Sequence, residues 1–117
     1  MRDLEQARYS AASGRHEWAC FAAQQGAENA VRALHLHLGQ DISGHVVAKL
    51  LTELHRKVIV PSDLVDKARV LDNYYIPASY PNSHAAGGPF ERYGPLQSEG
   101  AIQYTAEIIE FERSNMT

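Results

Sequence analysis

The chain has 117 residues, 44% hydrophobic and 21% charged, with 11 Lys+Arg against 14 Asp+Glu and a formal net charge of −3. That length holds one domain and one core, residues 1–117, since domains most often run to about 100–150 residues. The slightly acidic balance excludes a protein that grips nucleic acid along a broad basic face and leaves room only for a local basic pocket. The lone cysteine, Cys20, excludes an internal disulfide. It reads as a small buried hydrophobe rather than a nucleophile, in a reducing compartment. No basic-then-apolar leader and no apolar run of about 20 residues is present, so a cytoplasmic protein that does not enter the membrane is expected.

Leu4, Ala7 and Ala11 share one helix face, and Gly14 supplies a stop, which predicts a first helix. From about His16 to Leu38 there is no Pro and one Gly, and Ala and Leu abound, so this segment is expected to form the longest helix. On it Cys20, Ala23, Ala27, Ala30, Val31, Leu34 and Leu38 form a core stripe of mostly small residues. Gln25, Glu28, Asn29 and Arg32 form a polar stripe on the other side, flanked by Trp18 and Phe21. One reading of that stripe is a solvated face with a Glu28–Arg32 pair. The other is an interface, which mixed aromatic and amide surface favours; there Trp18, Phe21, Gln25 and Asn29 would meet a second copy of the chain.

Gly39 to Gly44 reads as a loop, and Val47, Leu50, Leu51 and Leu54 then predict a short third helix. Ser62 and Asp63 after Pro61 read as a capped start for a fourth, with Leu64, Val65, Ala68, Leu71 and Asp72 on one mostly apolar face and an end near Tyr74. Between Tyr75 and Pro95 the periodicity gives way to Pro, Gly and the aromatics Tyr75, Tyr80, Phe90 and Tyr93. A structureless stretch of about 20 residues is uncommon in a compact domain, and such loops are often functional. Gln97 to Arg113 predicts the last helix, with Ala101, Ile102, Thr105, Ile108 and Ile109 inward. No period-2 alternation is sustained, so the fold class is all-α, with four of five helices around one core.

There is no Walker-type loop, HExxH, CxxC or acidic calcium loop, and neither a metal nor a cofactor is expected. His35 and His37 point to different sides of a helix and cannot share a ligand. His45 reads as structural, at the start of the third helix or packed on a neighbour; His16 and His55 read as surface residues. His84 stands apart because Ser79, Tyr80, Asn82 and Ser83 lie near it and Arg92 follows. These groups suit a phosphate or a base, and an imidazole there suits proton transfer in RNA cleavage. An ordinary loop histidine is the competing reading.

Three stretches carry a resemblance: Ala22-Ala-Gln-Gln-Gly-Ala-Glu-Asn-Ala-Val-Arg-Ala-Leu34, the Gly44-His45 turn, and Tyr75-Ile-Pro-Ala-Ser-Tyr-Pro-Asn82. Together they resemble the HEPN family (higher eukaryotes and prokaryotes nucleotide-binding) across essentially the whole chain. The resemblance implies an up-and-down bundle of four to five helices that forms a homodimer. It also implies a minimal nucleotidyltransferase as partner in a toxin–antitoxin-like pair. Many relatives are metal-independent endoribonucleases that use Arg, four to six residues, then His at the dimer cleft. This sequence has Ser79 where relatives with the Tyr-Ile-Pro string commonly carry Arg, so Ser79 and His84 keep the spacing without the charge. The loss of a guanidinium at a developing phosphate charge removes several kcal/mol in comparable sites. Arg32 and His37 match the spacing too, but inside a regular helix.

The reading favoured by these residues is a nucleotide- or RNA-binding dimer with Ser79, Tyr80, Asn82, Arg92, Gln25, Glu28 and Arg32 at its cleft. The alternatives are an endoribonuclease with His84 as general acid or base, and a structural interaction domain with no ligand.

Overall fold

In the computed structural model, residues 2–40, 44–54, 58–75 and 93–116 are described. Gly14, at φ +77°, ends the first helix, α1 (Arg2–Ala12), as the left-handed conformation suits a residue without a side chain. The chain then enters α2 (His16–His37), α3 (Val47–Thr52), α4 (Ser62–Asp72) and α5 (Pro95–Ser114). The described residues contain no strand, as the missing period-2 alternation implied.

The expected helix faces are the faces that pack. Leu4 and Ala7 of α1, the alanine stripe of α2, Val47, Leu50 and Leu51 of α3, Leu64, Val65, Ala68 and Leu71 of α4, and Ala101, Ile108 and Ile109 of α5 join one core. The difference lies in α2, which touches all four other helices. Its buried set therefore runs well beyond one stripe and includes Ala19, Ala22 and Gly26 on the α1 side and Gln24, Glu28 and His35 on the α3 side. A helix at the centre of a bundle is buried nearly all round, so the two-faced reading suited to a peripheral helix undercounts it.

Close approach explains Gly26. A Cβ there would lie 3.2 Å from Asp3 Cβ and 3.3 Å from Thr105 Cγ2, on α1 and α5. Across the same contact, Thr105, fully buried, donates its hydroxyl to the Ala23 carbonyl at 2.7 Å. Lys67 joins α4 to α5 through Glu107 at 2.6 Å.

Three local expectations need correction. The start of α4 has Pro61 at the cap position and no side-chain cap hydrogen bond, so Ser62 and Asp63 sit inside the helix rather than before it. His16 is not a free surface residue: its Nδ1 lies 2.8 Å from the hydroxyl of Ser98, which is buried. The polar stripe of α2 is not simply turned away from the bundle, because Glu28 is only 5% exposed. At about 100° per residue Glu28 lies next to Gln24 and His35, at the border of the core stripe, and α3 with its leading turn covers that border. His55, together with Ser79, Tyr80, Asn82, Ser83, His84 and Arg92, lies outside the described residues.

Candidate functional site

The chemistry gathers where α2 meets the turn before α3. Gly44, at φ +128°, lets the chain swing in front of α3, and His45 follows it. The Nδ1–H of His45 donates to Glu28 Oε2 at 2.9 Å. The same carboxylate oxygen lies 3.1 Å from Arg32 Nε, one helical turn on, and an Arg32 Nη2–H donates to the Gly44 carbonyl. One carboxylate thus holds an imidazole and a guanidinium side by side. The two cationic-capable groups keep contact with water, with side chains 52% and 33% exposed, while the Glu28 side chain is 7% exposed.

Beneath them Gln24, fully buried, donates Nε2–H to Glu28 Oε1 at 3.2 Å and to the His45 carbonyl at 3.4 Å. Gln25 Nε2 donates to Gln24 Oε1 at 2.7 Å. A buried carboxylate needs such donors, since leaving it without them costs far more than a single net hydrogen bond contributes. Asp72, in the last turn of α4, accepts the backbone N–H groups of Val47 at 2.6 Å and Ala48 at 3.2 Å. It thereby secures the start of α3 directly behind His45. Burial pushes the Asp72 carboxyl above its ordinary range, against the lowering effect of those two N–H groups, and the charge of Glu28 adds to the rise.

The outer wall is aromatic. Tyr75 stacks on His45 with ring centroids 4.7 Å apart and planes within 15°. Tyr74 turns the other way and meets Tyr93 edge-on at 5.6 Å. The two residues that precede the segment 76–92 are therefore fixed, one to the site and one to the residue at which the described chain resumes.

Of the residues singled out in the sequence, Glu28 and Arg32 come together with His45. Gln25 reaches the cluster only through Gln24. Asn29 does not join it; its side chain donates to Asp3 Oδ2 of α1 at 2.8 Å. Trp18 and Phe21 stand edge to face at 6.4 Å and, with Gln25, Ser10 and Arg15, line a separate groove of about 350 Å³ between α1 and α2. Trp18 remains 43% exposed. His35 and His37 separate as expected, and buried His35 donates Nε2–H to the Leu50 carbonyl at 2.7 Å.

Sequence reasoning missed Gln24, Asp72 and Tyr75 and undervalued His45. A usable signal was present in the Gln24/Glu28 spacing, i to i+4, which puts amide and carboxylate on one row. Nothing local announces that Asp72 caps a helix 25 positions earlier. No group of His, Cys, Asp and Glu among the described residues is arranged to hold a metal ion, and no helix among them is long and apolar enough to cross a membrane.

No curated protein matches the chain. Solved structures do. TT1696 of Thermus thermophilus is 44% identical with a TM-score of 0.87, over 97% of this chain and 90% of that one. ST0689, an archaeal HEPN homologue, is 34% identical with a TM-score of 0.81, over 99% and 90%. The HEPN domain protein TM0613 of Thermotoga maritima is 34% identical with a TM-score of 0.78, over 97% and 89%. The HEPN domain family model matches residues 1–115, and with this fold the chain belongs to the HEPN domain family.

Proposed function

We propose that the protein binds a nucleotide or the phosphate-bearing end of an RNA at the His45–Arg32 surface, and that it acts as a homodimer with a minimal nucleotidyltransferase as its partner. The observation that carries the binding reading is the shared carboxylate: Glu28 fixes His45 and Arg32 next to each other while both remain in contact with solvent. A guanidinium has five N–H groups, and the contacts to Glu28 and Gly44 leave others for a phosphate oxygen. Imidazole adds a second donor when protonated. Tyr75 stacks on the imidazole, and an aromatic surface of this kind suits a base. The net charge of −3 fits a small ligand with a local contact better than a long nucleic-acid duplex.

Titration of the protein with fluorescent AMP and with a short 5′-phosphorylated RNA tests the reading. Saturable binding that weakens about tenfold in Arg32→Ala, the loss of one charge-assisted contact, supports it. No binding of either probe removes it. Incubation with the same RNA separates binding from the endoribonuclease reading. Intact RNA favours binding alone, whereas cleavage that disappears in His84→Ala assigns the reaction to His84. The Trp18, Phe21, Gln25 and Asn29 surface is the proposed dimer contact, and sedimentation at micromolar concentration decides it.

A further inference from the structure

The hydrogen bonds beneath His45 run in a forced direction. Glu28 as a carboxylate has no proton to give, so Gln24 must turn its Nε2 toward Glu28 Oε1, at 3.2 Å. The Gln24 Oε1 then faces the opposite way, and Gln25 Nε2 fills that acceptor at 2.7 Å. At the far end Glu28 Oε2 accepts the imidazole proton at 2.9 Å. Reversing the Gln24 amide would set its oxygen against the buried Glu28 carboxylate at a fully buried side chain, where mismatched polar groups are costly.

We infer that Gln24 and Gln25 are positioning residues for His45. Acting through Glu28, they hold its ring in the Nδ1–H tautomer and leave Nε2 to accept or exchange a proton. The chain of bonds starts in the groove between α1 and α2, because Gln25 lines it beside Trp18 and Phe21. It ends at the His45 surface, on the other flank of α2. The state of the Gln25 amide in that groove thereby bears on the proton position at His45. The use of Nε2 toward a ligand rests on the proposed nucleotide site; the control of the tautomer does not.

The test is NMR of the full chain with isotope-labelled histidine nitrogens in mildly alkaline buffer, where the nitrogen shifts report the tautomer. Wild type is expected to show His45 mainly as Nδ1–H. In Gln24→Leu the ratio of Nδ1–H to Nε2–H falls about two- to tenfold, the range one hydrogen bond commands. In Gln25→Ala it falls less but in the same direction. The signal of exposed His37 stays unchanged in both. A wild-type ring already in the Nε2–H form, or a His45 signature indifferent to both substitutions in folded protein, overturns the inference. If Gln24→Leu fails to fold, Gln25→Ala decides alone, because Gln25 is only half-buried. Fluorescent AMP added to the same samples keeps the two ideas apart. No AMP binding by wild type, with the tautomer shifted in the variants, sinks the nucleotide site and leaves the positioning role, and AMP binding by wild type with the tautomer unmoved in the variants does the reverse.

Discussion

Asp72 on α4 holds the first amide of α3: Val47 N lies 2.6 Å from its Oδ1. Because burial raises the Asp72 carboxyl above its ordinary value of 3.8, the folded protein holds this proton more tightly than the unfolded chain does. The stability it confers is greatest below the unfolded value and falls as pH rises through the window that opens near 3.8. Asp72→Asn removes the titration while keeping one acceptor oxygen. Urea unfolding of both proteins at about pH 3 and about pH 6 is expected to show wild type losing ground to the variant at the higher pH. The opposite trend would mean that the two N–H bonds outweigh burial.

Cys20 gives a second readout. It is fully buried, and burial, assisted by the charge of Glu17, pushes its thiol up to about 12. Thiolate is the reactive form, so native protein near neutral pH should resist an aromatic disulfide reagent, whereas the same protein in denaturant reacts at once. Reaction of the native protein at the rate of a free thiol would show that the centre of α2 opens readily.

The fold was legible because helix-forming periodicity and the Gly and Pro stops agree along α1, α2, α4 and α5. Cys20, Ala23, Ala27 and Leu34 could be placed in the core from spacing alone, and they are there. The site was legible only in part. Glu28 and Arg32 were visible as a pair one turn apart, but what they act on, His45, is brought to them by the turn at Gly44, and tertiary contacts of that kind leave no periodic trace. The burial of Glu28 follows from α2 being central, which depends on how four other helices dock. His84, Ser79, Tyr80, Asn82 and Arg92 stand out through local composition alone, and they fall outside the described residues.

The α2–α5 contact yields a packing prediction. Thr105→Val keeps the volume and loses the hydroxyl that bonds the Ala23 carbonyl, so it should lower stability by about 0.5–1.5 kcal/mol. Gly26→Ala has two opposed effects. Helix propensity favours Ala by about 1 kcal/mol, while the new methyl meets Asp3 Cβ and Thr105 Cγ2 at 3.2 and 3.3 Å, and overpacking commonly costs about 1–3 kcal/mol. Because the two neighbours sit on different helices, neither of which can retreat without moving a packed face, crowding should win. Denaturant midpoints check both variants, and a more stable Gly26→Ala would show that α1 gives way easily.

Glu28 and Gln24 should be coupled. Removing Glu28 leaves three donors behind, but their fates differ. His45, with its side chain half exposed, can turn to water, and the outer part of the Arg32 guanidinium stays solvated although its Nε is buried, so the usual penalty for breaking a fully buried ion pair does not apply in full. The Gln24 Nε2 group has no access to water and keeps only the long contact to the His45 carbonyl, while its Oε1 still accepts from Gln25. Glu28→Leu is therefore expected to cost about 1–3 kcal/mol, the penalty for stranding one buried polar group. Gln24→Leu should cost a similar amount, because it withdraws a donor from the buried carboxylate. The double variant removes both partners together and should cost clearly less than the two single losses added, with a coupling of about 0.5–3 kcal/mol. Strict additivity in urea unfolding would mean that the Gln24–Glu28 bond contributes nothing to the folded state.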